Sequence, residues 1–282
     1  MSSTVGISLS LSRITGRRSL QAFNLNRHRL SSATMSTSMT TKSHDLQDKL
    51  QFLHNFSACD VSDALLKLQK LPSGQVARAG HLADIAPFAS FSFTRSEHAN
   101  TQKVIAPAST LKLVPKAAVP EEKPATENTV PKGSHWVDMT EAGTIVVIEQ
   151  PPGQKCAAVG GIMAQRMKVR QVAGCVVGGR VRDFAELTDS GLAIYAQGRS
   201  TVGTNAESVV YARNVPVSIT GVSVVPGDIV FLDPDEGAVV IPQQLLDETI
   251  SLMPTLVAAD DKVKEAVVQG LTVAEAFKKF RG

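Results

Sequence analysis

The stretch from Gly160 to Glu186 holds the residue types whose spacing favours chemistry. Gly160 and Gly161 open a helical pattern, a short apolar strand follows, and a Gly-Gly turn then leads to Arg182, Asp183 and Glu186. A helix N-terminus presents free backbone N–H groups to an anion. An arginine guanidinium grips a carboxylate with two parallel hydrogen bonds, and an aspartate supplies hard oxygen to a divalent cation. Together these parts suit a site that holds a 2-oxo acid on a metal ion.

The composition is that of a globular protein with a mildly acidic body. The chain has 282 residues, of which 43% are hydrophobic, so it can form one large or two small domains. Its formal charge is +3, but residues 1–44 hold six of the 29 basic residues and no acidic one, which leaves 23 basic against 26 acidic residues. The remainder shows no basic face, so we expect no nucleic-acid partner. No apolar run approaches the roughly 18 residues of a membrane span, so we expect no membrane insertion.

Residues 1–44 have the composition of a mitochondrial transit peptide. They are rich in Ser and Thr, contain several arginines among interleaved apolar residues, and have no acid before Asp45. The alternatives are a disordered basic tail and a start at Met35, which would give a shorter cytoplasmic form. We therefore expect a mitochondrial protein with a cytoplasmic form from Met35, and a folded domain over residues 45–282.

Several other kinds of site are not supported by the residue spacing. Cys59, Cys156 and Cys175 are an odd number without CxxC spacing, which argues against a disulfide framework and a zinc knuckle. The six histidines form no pair at metal-ligand spacing near the motif. A Schiff-base aldolase needs a buried lysine, whereas Lys168 is predicted on an exposed helical stripe.

The segments before Gly143 indicate two helices followed by strands and a loop. Helical spacing runs over residues 45–71 with a break near Ser57, and Ser57 or Asp60 is the predicted cap of the second helix. Strand-like pieces follow, and residues 115–134 form a polar, Pro-rich insert that is predicted to be a surface loop. The strand-like pieces are residues 103–106 and 110–114.

After Gly143 strands and helices alternate, which indicates crossover units on a partly parallel sheet. The predicted strands are residues 144–148, 175–177 and 193–196, with helices over residues 161–171 and 183–190 between them. Later strands lack helical segments between them and should pair through short turns. These strands are residues 215–219, 222–224, 229–232 and 237–241. A helix is predicted over residues 243–269, and a second helix, with Thr272 as its cap, over residues 273–280. The predicted architecture is one α/β domain with N- and C-terminal helical extensions.

Three strings resemble the RraA-like family, which embraces 4-hydroxy-4-methyl-2-oxoglutarate aldolases, oxaloacetate decarboxylases and the regulator of ribonuclease E activity. They are GGIMAQRMKVRQVAGCVVGGRVRDFAEL from Gly160, STVG from Ser200 and PGDIVFLDPDEGAVVIP from Pro226. The similarity extends from about Val61 to the C-terminus and is weakest over residues 115–134. The resemblance implies a swivelling β/β/α-type fold, assembled as a homotrimer or homohexamer with the site at a subunit interface.

The resemblance also implies roles for individual residues. In the family, the arginine matching Arg182 grips the substrate carboxylate and carbonyl, and the aspartate matching Asp183 binds Mg²⁺. Backbone amides of the turn before them hold the other end of a pyruvate unit. The substrate-binding residues implied in this way are Gly160, Gly161, Ile162, Met163 and Arg182; the catalytic residues are Arg182 and Asp183, and Asp183 is the ligand of Mg²⁺ or Mn²⁺.

Two acids of the family pattern are absent from this chain. Catalytic aldolases of the family commonly have Asp where Gly161 stands and Asp-Gly where Gly178-Gly179 stands. The first of these carboxylates is thought to position a water or a proton, so the proton must here come from metal-bound water, from another acid, or not at all. A retro-aldol cleavage needs a base for the substrate hydroxyl and a decarboxylation does not, which tilts the prediction slightly toward decarboxylation.

Two glutamates are candidates for supporting roles. Glu186 either stabilises the first turn of a helix by its charge or orients waters around the metal. In the family, a C-terminal glutamate of a neighbouring subunit is implicated, and Glu265 in ADDKVKEAV is the candidate here. The alternative for Glu265 is a solvated helix face.

Two functions from different classes remain open at this point. The first is a divalent-metal-dependent lyase that cleaves 2-oxo dicarboxylates through a pyruvate enolate, by oxaloacetate decarboxylation, 4-hydroxy-4-methyl-2-oxoglutarate cleavage or both. The second is a catalytically silent regulatory protein that binds protein partners. The presence of Arg182, Asp183 and Glu186 favours the lyase, whereas the missing acid at Gly161 favours the silent protein.

Overall fold

The computed structural model describes residues 34–89 and 102–281, with side chains from residue 44 onward and without that of residue 89. Most of the predicted transit peptide, residues 1–33, lies outside the described residues. Residues His44–Gly282 form one compact unit. Among the described residues, no helix has both the length and the apolar character needed to cross a membrane.

Two helices open the described chain, as the sequence indicated. Helix α1 spans Thr34–Leu53 and helix α2 spans Ala58–Leu68. Helix α1 therefore begins eleven residues before the predicted start at residue 45 and includes the last part of the segment predicted to be a disordered transit peptide. The Ser57 hydroxyl accepts a hydrogen bond from the backbone of Asp60, and the Asp60 carboxylate accepts one from the backbone of Ser57. This reciprocal pair satisfies two amides that the helix itself leaves free. Ser57 is therefore the cap, with Asp60 as its partner three residues on.

A mixed sheet carries the rest of the fold. Its elements, with the helices between them, are β1 (Ala86–Ala89), β2 (Val104–Pro115), β3 (Ile145–Glu149), β4 (Ala157–Val159), α3 (Gly161–Val169), β5 (Gly174–Val181), α4 (Phe184–Ser190), β6 (Ala193–Arg199), β7 (Ser208–Arg213), β8 (Val217–Ile219), β9 (Val222–Val224), β10 (Ile229–Asp233) and β11 (Gly237–Ile241). The strand order is β1-β6-β5-β3-β2-β10-β11, with β4 beside β5 and β7 beside β2. Strands β2, β3, β5 and β6 are mutually parallel. Strands β1 and β11 also approach each other, so the sheet is nearly closed like a barrel.

The sheet separates apolar layers, because successive strand residues point to opposite faces. On β3, Ile145 and Val147 pack inside the curved sheet, whereas Val146 and Ile148 pack on the side of α3 and α4. A strand buried on both faces explains why this segment reads as a continuous apolar run. A further apolar layer lies between the sheet and the helices α1, α2 and α5 (Leu246–Val268).

The two strand-like pieces predicted around Pro107 are one continuous strand, β2, and that prediction was wrong. Residues before Ala108 pair with β10, and residues from Ala108 onward pair with β3 and β7. Pro107 therefore stands where the strand exchanges partners. A proline without an N–H is tolerated at such a point, because no ladder hydrogen bond from it is required. Strands β1, β4 and β7 were not predicted, since two are very short and each depends on partners distant in the chain.

The Gly-Gly turn predicted at Gly178 and Gly179 does not exist, because both residues lie within β5. A Cβ on Gly179 would lie 1.9 Å from Oε1 of Gln150, and one on Gly178 would lie 2.9 Å from the side chain of Ile219. Gln150 bridges neighbouring segments by donating to the Cys156 carbonyl at 2.8 Å and accepting from the Arg180 amide at 2.9 Å. Glycine is needed here for close packing of the strand rather than for chain reversal.

The C-terminal part matches the prediction closely. The hairpins β8–β9 and β10–β11 are antiparallel and joined by short turns. A single 3₁₀ turn, Gln243–Leu245, precedes α5, and α6 (Val273–Phe280) begins after Thr272. Thr272 and Glu275 form a second reciprocal cap, as Ser57 and Asp60 do.

Candidate active site

The candidate site lies where β5 ends and the chain turns into α4. The amide of Arg182 donates to the carbonyl of Val159 at 3.0 Å, which holds the strand end beside β4. Asp183 then adopts a left-handed conformation with φ 59° and ψ 50° at the N-cap of α4. Asp and Asn tolerate this region better than most residues, and such backbone outliers concentrate at functional sites. The reversal predicted at the glycines therefore occurs at Asp183 itself.

Gly160 and Gly161 are held directly against Arg182 and Asp183. Gly160 is the N-cap of α3, and the amide of Gly161 donates to Oδ2 of Asp183 at 3.2 Å. A Cβ on Gly160 would lie 2.6 Å from that oxygen and 3.2 Å from Nε of Arg182. Any larger residue would push the two charged side chains away. The structure thus brings together four of the five residues that the sequence motif singled out, and Glu186 is the fifth.

Glu186 occupies the space where a side chain of residue 161 would stand. A Cβ on Gly161 would lie 1.9 Å from Oε2 of Glu186 and 2.5 Å from its Cβ. Glu186 is exposed in the first turn of α4. Its carboxylate therefore lies over the N-terminus of α3, beside Asp183, and an acid is present near Gly161 although residue 161 has none. No sequence pattern shows this, since the contact joins two different helices.

Arg182 and Asp183 are accessible to a ligand. Nε of Arg182 lies 3.4 Å from Oδ2 of Asp183, and the two side chains are 42% and 37% exposed. Ion pairs this exposed contribute little to stability, which leaves both groups free to change partners. Both side chains line a cavity of about 500 Å³, together with Gly160, Ile162 and Met163. Gly161 contributes its amide to Asp183 rather than a wall of this cavity.

The Ser-Thr-Val-Gly string packs against the same arginine. A Cβ on Gly203 would lie 3.1 Å from a terminal nitrogen of Arg182, so glycine leaves room for the guanidinium. The Thr204 hydroxyl donates to the carbonyl of Ala157 at 2.6 Å, which ties this loop to β4. His135 and Trp136 complete part of the cavity wall and were not predicted as site residues. They precede the motif by more than twenty residues and share no spacing with it.

A divalent cation fits the donor set at Asp183. The hydrogen bond from Gly161 and the ion pair with Arg182 both involve Oδ2, and Oδ1 makes no hydrogen bond or ion pair within residues 44–88 and 102–281. In the same residues no group of three or more His, Cys, Asp or Glu side chains is arranged around one point. Mg²⁺ is commonly held by one or two carboxylates, with waters and substrate oxygens as its other ligands. Asp183 is therefore a described carboxylate that could hold such an ion as one ligand among waters and substrate oxygens.

Glu265 is not brought to this site within one chain. It is exposed on α5, which packs mainly against α2 and α6, and it lines neither cavity next to Arg182. Lys168 is exposed on α3, as predicted. Burial raises the pKa of Cys175 to about 12, and burial together with Glu236 raises that of Cys59 to about 11. These thiols stay protonated at neutral pH, so neither supplies a thiolate nucleophile.

Sequence reasoning also missed Arg180, which lies two residues before Arg182 on the same strand end. Because side chains alternate along a strand, residues two apart lie on the same side, and this spacing could have indicated that Arg180 lies near Arg182. Arg180 and Arg199 line a second cavity, of about 720 Å³, which Arg182 and Asp183 also line.

Curated relatives match the chain at low identity and over part of their own length. Protein DlpA of Legionella pneumophila is 26% identical over 241 residues, covering 85% of this chain and 35% of that protein. A "Putative 4-hydroxy-4-methyl-2-oxoglutarate aldolase" of Halalkalibacterium halodurans is 28% identical over 132 residues, covering 47% of this chain and 61% of the relative. A protein of the same name from Burkholderia mallei is 33% identical over 109 residues, covering 38% of this chain and 63% of the relative. The chain thus spans about a third of protein DlpA and about three fifths of these relatives.

Solved structures share the fold. A Pseudomonas syringae pv. tomato protein described as uncharacterized aligns with a TM-score of 0.63 and 22% identity, over 83% of this chain and 94% of its own. Streptomyces coelicolor RraAS2 is described as an unusual member of the RNase ES inhibitor RraA protein family. It aligns with a TM-score of 0.57 and 23% identity, over 79% of this chain and 96% of its own. A family model described as RraA-like, Aldolase/RraA, matches residues 58–240. The chain therefore belongs to the RraA-like family.

Proposed function

We propose that this protein is a divalent-metal-dependent carbon–carbon lyase that releases pyruvate from 2-oxo dicarboxylates. One observation carries the proposal: Gly160, Arg182 and Asp183 line a single cavity, and the Gly161 amide lies 3.2 Å from the Asp183 carboxylate. Relatives named "Putative 4-hydroxy-4-methyl-2-oxoglutarate aldolase" support the same class of reaction.

The charge of each group would determine its role in the reaction. Amides at the start of α3 and the guanidinium of Arg182 would bind and orient the carboxylate and carbonyl of the 2-oxo acid. A Mg²⁺ or Mn²⁺ ion on Asp183 would supply positive charge next to the carbonyl oxygen, where negative charge develops. Fixing the substrate between the turn and Arg182 would align the bond to be broken with that charge.

The bond that breaks joins the third and fourth carbons of the substrate. In oxaloacetate its electron pair passes into the pyruvate enolate while CO₂ leaves, and a proton must then be added at the third carbon. In a 4-hydroxy-2-oxo diacid the hydroxyl proton must also be removed as the bond breaks. Glu186 lines neither cavity, but its carboxylate lies at the Gly161 turn, and we propose that it carries such a proton through a bridging water.

We propose a homotrimer or homohexamer as the active assembly. Arg182 and Asp183 are more than a third exposed in the single chain, so the cavity wall has room for a neighbouring subunit. An acid from that subunit, with Glu265 as the candidate, would then complete the site. Sedimentation of the protein with and without Mg²⁺ tests the assembly, and a monomer that is fully active would contradict it.

The test of the lyase is pyruvate release by the full-length protein. Oxaloacetate and 4-hydroxy-4-methyl-2-oxoglutarate are each supplied with Mg²⁺ or Mn²⁺, and then with EDTA. We expect release above the background of the metal alone, lost with EDTA and with Asp183→Asn. Asp189→Asn is the matched control, because Asp189 is exposed on the same helix and lines neither cavity. Absence of release from both substrates would contradict the proposal.

The second candidate function is a catalytically silent regulatory protein. Two observations favour it: residue 161 lacks an acid, and the fold matches a member of an RNase inhibitor family. A protein of this kind would bind a protein partner, and substitutions at Asp183 would leave that binding unchanged. The pyruvate assay therefore separates the two functions.

A further inference from the structure

A second cavity, of about 720 Å³, adjoins the candidate active site at Arg182 and Asp183. Lys155, Arg180 and Arg199 also line it, which makes four cations against the one carboxylate of Asp183. The proposed reaction uses Arg182 and Asp183. It gives no role to the other three cations.

The fold places the two additional arginines by specific contacts. Arg180 lies near the end of β5 and Arg199 ends β6, and these strands are parallel neighbours. A terminal nitrogen of Arg180 donates to the carbonyl of Arg199 at 2.9 Å. A Cβ on Gly198 would lie 2.8 Å from that nitrogen, so glycine at this position gives the Arg180 side chain its path across β6.

Arg199 is held by an aromatic ring rather than by an acid. Its guanidinium carbon lies 4.0 Å from the centre of the Phe184 ring and 5.7 Å from that of Phe88. Stacking of this kind orients a guanidinium while leaving its N–H edges available to a ligand. Phe184 directly follows Asp183, so the stack fixes Arg199 beside the candidate active site.

These three cations have no carboxylate partner among the described side chains. The ion pairs found there at N···O distances up to 4.0 Å include none from Lys155, Arg180 or Arg199. Glu207 lies near Lys155, but its carboxylate accepts hydrogen bonds from the amides of Lys155 and Cys156, each at 2.6 Å. Within a single chain, no described carboxylate other than Asp183 therefore offsets the positive charge of the cavity, which is available to a ligand.

We propose that this cavity is an anion subsite that receives a dianionic group, either a phosphate monoester or a pair of carboxylates. A cleft lined by charges of one sign concentrates ligands of the opposite sign, and arginines bind both phosphate and carboxylate through paired hydrogen bonds. Because Arg182 and Asp183 line both cavities, the group belongs to the departing fragment of the substrate whose 2-oxo end lies at Gly160. In this respect the inference rests on the proposed function and narrows its substrate class.

Binding of simple probes to the full-length protein tests the subsite without turnover. Inorganic phosphate and propane-1,2,3-tricarboxylate are each titrated by calorimetry at fixed ionic strength. We expect saturable binding of at least one probe, and the tighter one identifies the dianionic group. Arg180→Gln and Lys155→Gln should each weaken it by about tenfold, the value of one charge-assisted hydrogen bond. Lys168→Gln, which removes a charge from exposed α3 outside the cavity, should leave it unchanged.

The outcomes separate the subsite from the lyase. Asp183→Asn removes the proposed metal ligand but none of the three cations. The probe should therefore bind to the Asp183→Asn variant at least as tightly as it binds to the unsubstituted protein. Binding that depends on Arg180 in a protein that releases no pyruvate would overturn the lyase and support the subsite. No saturable binding of either probe, or equal binding by Lys155→Gln and Lys168→Gln, would overturn the subsite. Lys155 is exposed and its side chain has no hydrogen bond or ion pair within the described residues, so Lys155→Gln remains informative if Arg180→Gln fails to fold.

Discussion

The amide of Gly161 donates a hydrogen bond to the carboxylate of Asp183 at 3.2 Å, across a sequence separation of 22 residues. This contact joins the start of α3 to the turn between β5 and α4. It makes the helix N-terminus and the acidic side chain parts of one site. Because the bond uses Oδ2 of Asp183, the orientation of the other oxygen is fixed by the backbone of a different helix.

Substitution of Asp183 should separate its chemical role from its conformational role. Asn tolerates the left-handed backbone at this position, whereas Ala should cost about 1–2 kcal/mol in unfolding free energy. We expect both variants to lose metal-dependent pyruvate release and only Asp183→Ala to be destabilised. Urea unfolding together with the pyruvate assay measures the two effects. Activity in Asp183→Asn would show that the carboxylate is not a metal ligand.

Replacement of Arg182 by lysine should impair catalysis although the positive charge is preserved. An ammonium cannot form the two parallel hydrogen bonds of a guanidinium, and the loss of such a charged contact is worth about 1.5–3 kcal/mol. We therefore expect kcat/KM to fall by roughly ten- to a hundredfold with oxaloacetate. Arg170→Lys is the control, since Arg170 lies at the other end of α3 and donates to the carbonyl of Thr140. Equal effects of the two substitutions would exclude a specific grip by Arg182.

A side chain at residue 161 should destabilise the fold. The Cβ of alanine would meet the side chain of Glu186, including its Cβ at 2.5 Å. Crowding of this kind costs about 1–3 kcal/mol. Glu186→Ala removes the carboxylate but keeps the Cβ, so we expect the double variant to regain only part of the loss. Denaturant unfolding measures this, with Ile162→Ala as a control at a position 73% exposed. Full stability of Gly161→Ala would show that Glu186 does not lie over this turn.

The loop beside Lys155 should show an acid-dependent stability. Hydrogen bonds from the backbone of Cys156 and Lys155 lower the pKa of Glu207 below its ordinary 4.5. A carboxyl with a depressed folded-state pKa stabilises the fold above its unfolded pKa, and the contribution disappears as pH falls through the folded value. We expect Glu207→Gln to lower Tm at neutral pH and to have a diminishing effect below about pH 4.5. Glu121→Gln, at an exposed position, serves as the comparison.

A Tm difference between Glu207→Gln and the unsubstituted protein that persists unchanged at low pH would contradict this account. It would mean that the substitution acts through packing of the loop rather than through the charge of the carboxylate. Thermal melts followed by circular dichroism across the acidic range are sufficient for the comparison.

Local signals in the sequence determined much of the fold. The sequence indicated Ser57 or Asp60 as one helix cap and Thr272 as another, because a cap and the amide it binds lie within one turn. The late hairpins were readable because their strands alternate with short turns. The motif around Arg182 and Asp183 was equally local, since its residues follow one strand. In these cases, hydrogen bonds and burial act over a few neighbouring positions, so residue spacing is enough to reveal them.

Only the tertiary structure decided the relationships between distant segments. Gly179 continues a strand because Gln150, from another part of the chain, fills the space where its side chain would stand. The Glu186 carboxylate takes the place above Gly161, and Arg199 enters the second cavity by stacking on Phe184. Periodicity along the chain records which face of an element is buried but not which side chain from another element meets it. The sequence by itself therefore determined which residues are suited to chemistry, and three-dimensional packing decided how they are combined.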